Sequence, residues 1–133
     1  MLPLFTTSAT LLAAQPKLVT PVLQVVHRVI TRHLLGQAGL KADEADSGAV
    51  TLIQRFGSAA NLNIHLHCLV LDGVYRRGTD GAPAFVELPA PTDEALQAVL
   101  HKIITRMMKL LTRRGVGRRG GFDLHVRQRR RLR

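Results

Sequence analysis

The 133 residues, 46% hydrophobic and 21% charged, suffice for one domain with a modest core and are too apolar for a disordered chain. No apolar run approaches the roughly 18 residues that span a bilayer, and a single cysteine, Cys68, excludes an internal disulfide, as in a reducing, cytoplasmic protein. The net charge of +10 is unevenly placed: residues 1–100 hold seven Lys and Arg against eight Asp and Glu, whereas 101–133 hold twelve against Asp123 alone, so any attraction to phosphate is concentrated in the last quarter.

The opening "MLPLFTTSATLLAAQPK" lacks a charged n-region, and Pro3 and "TTSAT" interrupt its apolar residues, so it is read as neither a signal peptide nor a convincing strand. "LVTPVLQVVHRVITRHLLG" predicts a helix, with Thr20 as N-cap, Pro21 at the first position, an apolar stripe from Val22 to Leu34, and Gly36 as its stop. The polar "GQAGLKADEADSG" is a linker. "GAVTLIQRF" and "LNIHLHCLVL" predict two strands, paired antiparallel because the connection is short. A loop follows, with a brief strand over 84–88. Thr92 caps a second helix that has Asp93 and Glu94 in its first turn, apolar residues from Leu96 to Leu111, and Lys109, Arg113 and Arg114 at its end. "GVGRRGGFDLHVRQRRRLR" reads as a disordered basic tail. The prediction is an α+β two-layer fold, its antiparallel sheet carrying helices on one face and incomplete at one edge, with a domain over 1–114 and a tail over 115–133.

"NLNIHLHCLVLDG" carries two histidines two residues apart. Strand periodicity puts Asn63, His65, His67 and Leu69 on one face and Ile64, Leu66, Cys68 and Val70 on the other. Two imidazoles about 7 Å apart along a strand can hold one ion between them. Gln54, polar in an apolar neighbouring strand, is a candidate third ligand, and Arg55, Arg113 and Arg114 are candidate contacts to DNA phosphates.

"SGAVTLIQRFGSAANLNIHLHCLVLDGVY", and "QRFGSAANLNIHLH" in particular, resembles the core of the rolling-circle insertion-sequence transposases, the two-tyrosine group of the HUH endonucleases. The likeness extends from about Ala13 to Arg114 and includes "PTDEAL". It implies a partial ferredoxin-like domain in which His65 and His67, with a third polar ligand, hold magnesium or manganese against single-stranded DNA at element ends. It also implies a tyrosine nucleophile that forms a 5′-phosphotyrosine. Tyr75, the only tyrosine, follows His67 by eight residues in a predicted loop, whereas the family's nucleophiles lie further downstream on a helix, so no catalytic residue is assigned. One cysteine cannot build the zinc region found in full-length relatives. "GGFDLH" resembles a segment from further downstream in the family and "VRQRRRLR" resembles none, which suggests a deletion or frameshift. The expectation is a transposase fragment. The alternatives are a non-catalytic nucleic-acid-binding remnant and a small metal-binding protein that takes a further ligand from His27 or His101.

Overall fold

The structure, a computed structural model, describes residues 3–9, 16–56, 63–115 and 122–128. Its strands are β1 (Pro3–Ala9), β2 (Ala45–Asp46), β3 (Ala49–Phe56), β4 (Asn63–Val70), β5 (Gly73–Arg76), β6 (Ala84–Glu87) and β7 (Phe122–Gln128). Helix α1 spans Val19–Ala38 and α2 spans Asp93–Arg113. The main sheet runs β3-β4-β1-β7, antiparallel at every pairing, and β2-β5-β6 form a small second sheet. Strands β1 and β3 are parallel with β4 between them, as are β4 and β7 with β1 between them. Each helix therefore connects two parallel strands that are not neighbours, a βαββαβ arrangement.

The α+β class agrees with the sequence reading, but two strands do not. Strand β1 stands where no strand was expected, and β7 lies within the predicted disordered tail, so the four-stranded sheet is complete at the edge expected to be open, and its last strand lies beyond residue 114. Each strand takes its order from partners remote in sequence, and local composition does not encode such pairing. In "FDLHVRQ" the alternation of Phe122, Leu124 and Val126 with Asp123, His125 and Arg127 is a legible period-two signal that the surrounding arginines obscured.

Helix α1 begins earlier than predicted, after a 3₁₀ turn at Pro16–Leu18, so Thr20 lies inside the helix and Leu18 occupies the N-cap without a side-chain bond. It also continues through Gly36. Gly39 ends it at φ 68°, and Leu40 N–H returns to the Leu35 carbonyl at 2.9 Å, a left-handed closure that suits glycine. Helix α2 begins as predicted: Thr92 Oγ1 accepts from Ala95 N–H at 3.1 Å, and Asp93 and Glu94 sit in the first turn.

Both helices cover one face of the main sheet. Val22, Val26, Val29 and Ile30 of α1 and Leu96, Val99, Ile103, Met107 and Leu111 of α2 close over Leu66, Cys68 and Val70 of β4. A smaller cluster of Leu35, Ala45 and Val74 joins α1 to the second sheet, where Arg77 makes a two-point ion pair with Asp46. Tyr75 lies in strand β5, not in a loop, with its ring 5.1 Å from that of Phe85. Among the described residues no helix is long and apolar enough to cross a membrane.

Candidate functional site

Strand β4 separates its side chains as its period requires. Leu66, Cys68 and Val70 are buried under the helices, and His65, His67 and Leu69 share the opposite face. That face has no helix over it, and both histidines are only half-buried. Their rings lie nearly parallel, 6.3 Å between centroids. Strand β3 places Gln54 directly across from His65 and Leu52 across from His67. His67 Nε2 donates to Gln54 Oε1 at 2.8 Å, so the one amide stands opposite the first histidine and is bonded to the second. Val50, Leu52 and Leu69, all exposed, form an apolar shoulder beside the pair.

Strand β1 contributes small polar residues to the same two rows: Ser8 pairs with His65 and Thr6 with His67. Beyond it β7 places Asp123 opposite Ser8 and His125 opposite Thr6. At about 4.8 Å per strand, Asp123 and His125 stand roughly 10 Å from the histidine strand. Sequence reasoning left Asp123 and His125 in a tail without a partner.

The remaining candidates are not brought to this face. Arg55 is exposed but pairs with Ile64, on the helix side of edge strand β3. Arg113 and Arg114 are exposed at the end of α2. His27 lies beneath the sheet, where its Nε2 hydrogen-bonds Thr51 Oγ1 at 2.9 Å, and Thr51 Oγ1 in turn contacts Cys68 Sγ at 3.2 Å. The sheet therefore separates His27 from the pair. His101 is exposed on α2. A further metal ligand from either one, as the small metal-binding alternative required, does not fit this geometry. Burial pushes the Cys68 thiol up, only partly opposed by the bond from Thr51, so it is held as an unreactive thiol. A mostly apolar cavity of about 310 Å³, between α1, the β4–β5 turn and the start of α2, is also on the helix side.

Among the described residues no three His, Cys, Asp or Glu side chains stand together; the donors grouped on the open face are the two imidazoles and an amide. Two imidazole nitrogens and an amide oxygen are donors of the kind that first-row divalent transition-metal ions take.

The chain belongs to the Y2_Tnp transposase family ("Putative transposase"), which matches residues 48–129, more than half of its length. The match includes the histidine strand, α2 and β7. No curated protein and no solved structure matches the chain.

Proposed function

We propose that this domain is the metal-bearing, DNA-holding part of a rolling-circle transposase of the HUH type, acting on single-stranded DNA at element ends. The observation that carries this reading is the His65–His67–Gln54 group on the uncovered sheet face of a transposase-family domain. His65 and His67 would supply ring nitrogens to magnesium or manganese, and Gln54 an amide oxygen. When bound, the ion polarises a phosphoryl oxygen and fixes the scissile phosphate. To hold it, His67 would take the tautomer with its proton on Nδ1, leaving the Nε2 lone pair as a donor in place of the hydrogen bond to Gln54. The shoulder of Val50, Leu52 and Leu69 offers an apolar rest for bases beside that phosphate. Asp123 shares the register row of His65 through Ser8.

Strand transfer in this reading joins a tyrosine oxygen to phosphorus and breaks the bond to the 3′ oxygen, which takes up a proton as the 3′-hydroxyl. Tyr75 has no part in it, because its strand belongs to the second sheet and its ring packs on Phe85.

The test is manganese binding, followed by the spin-resonance signal of the free ion, together with the affinity for a single-stranded oligonucleotide with and without manganese. One ion should bind and should tighten the oligonucleotide. Both effects should disappear in His65→Ala and His67→Ala. Manganese binding that survives both substitutions, or that leaves DNA affinity unchanged, refutes the proposal.

A further inference from the structure

On the side of the domain away from His65 and His67, α1 and α2 enclose a cleft of about 130 Å³ lined by Arg32, His33, Lys102 and Arg106 together with Ala98 and the buried Val29 and Val99. No strand residue lines it, so it opens on the outer surface of the helix layer. Arg32, Lys102 and Arg106 are exposed, and none of them is ion-paired to a carboxylate of the described residues. The sequence explains the field. Helix α1 has no acidic residue at all, and in α2 Asp93 and Glu94 occur only in the first turn. Lys102, Arg106, Lys109 and Arg113 follow one another at spacings of four, three and four residues, so they form one stripe on the helix. At 1.5 Å per residue the stripe is about 16 Å long. His33 is held below the usual imidazole range by burial and then by Lys102, so added positive charge is already unfavourable there.

We infer that this cleft and stripe are a second DNA contact, for the phosphate backbone of duplex DNA flanking the single strand at the sheet face. The inference rests on the transposase reading for its choice of polymer. Duplex DNA is favoured for two reasons. Neither helix carries a Phe, Tyr or Trp on which unpaired bases could stack, and stacking platforms characterise single-strand surfaces. A row of exposed cations without such platforms responds to charge density, which is higher in the duplex. The helix layer and the sheet lie between the two faces, so the two contacts engage different parts of one branched substrate. Sequence preference is not built into the cleft, because its cations reach phosphate and no base edge.

The experiment compares wild-type protein with the Arg32→Gln/Lys102→Gln/Arg106→Gln variant. Binding of a short blunt duplex and of a single strand of the same length is followed over a range of salt concentrations, with chelator present. The arginines beyond Gly115 are the same in both proteins, so the change in slope is the quantity read. The logarithmic salt slope for duplex should fall by nearly three units, at about 0.9 per lost phosphate contact. Duplex affinity near 0.1 M salt should fall about 100-fold. Single-strand affinity should change far less, and manganese binding should remain. Wild-type slope and affinity in the variant overturn the inference, as does an equal loss for duplex and single strand. If the triple variant fails to fold, Lys102→Gln and Arg106→Gln singly should each lower the slope by about one unit. His65→Ala should leave the duplex slope unchanged whether or not manganese binds, so the sheet-face proposal can fail on its own.

Discussion

His67 and Gln54 are joined across strands β4 and β3 by a 2.8 Å hydrogen bond from Nε2 to Oε1, on the face of the sheet that the helices leave uncovered. Gln54 is also the direct cross-strand partner of His65. Gln54→Ala should therefore weaken manganese binding about 10- to 100-fold, the usual cost of losing a group that orients or completes a metal site. Gln54→Glu, which keeps the oxygen and adds negative charge, should restore or exceed wild-type affinity. Calorimetric titration with manganese checks both.

Asp123 shares a register row with His65 through Ser8, which predicts that it assists the ion. Asp123→Asn should lower manganese affinity at neutral pH, while Arg127→Gln, in the row of Leu4 and Leu69, should not. The comparison is of the two titration midpoints, and equal midpoints would exclude Asp123 from the site.

His33 links stability to pH. Burial, and after it Lys102, holds its imidazole below the ordinary value, so the unfolded chain takes up a proton more readily than the folded one. The stability this residue contributes is complete above about pH 6.5 and is lost as pH falls towards the lowered value in the folded state. Thermal melting measured from about pH 8 to about pH 5 should show a declining midpoint, with a smaller decline in His33→Gln. Lys102→Gln should also reduce the decline, because it removes the second cause.

The Cys68 thiol is buried and pushed up by that burial, so a thiol reagent at neutral pH should react with it only as the domain opens. Labelling should be slow in the native protein and fast in denaturant. Rapid native labelling would show that the helix layer does not cover β4.

Leu66 and Ile103, both almost fully buried, belong to the main core. Either one changed to Ala should cost about 2–5 kcal/mol in denaturant unfolding. Ile104→Ala, on the exposed side of α2, should cost much less. Gly73→Ala should also destabilise, because a methyl there meets the Val86 carbonyl oxygen and the Phe85 ring.

The histidine face was legible because strand periodicity is local: one residue of offset decides which side chains meet the helices, and Leu66, Cys68 and Val70 already marked that side. Gln54 was identifiable for the same reason, as the polar member of an apolar strand. Thr6, Ser8, Asp123 and His125 were not, because their place depends on which strands become neighbours across more than a hundred residues. Arg55 was assigned by type, but the same alternation that placed Gln54 on the open face turned Arg55 away from it. The helix cleft escaped notice for a different reason. Arg32 and Lys102 converge only once two helices pack, and the arginines near the end dominated the charge count.

The pairing of β1 with β7 brings Pro3 opposite Gln128. Contacts of such sequence separation carry a large loop-closure cost before they return any stability, so this half of the sheet belongs to the slow part of folding. During synthesis β1 emerges more than a hundred residues before β7 and waits for that neighbour, with one hydrogen-bonding edge open in the interval. A nascent transposase domain of this kind is most exposed to strand exchange with another copy while that edge is unfilled.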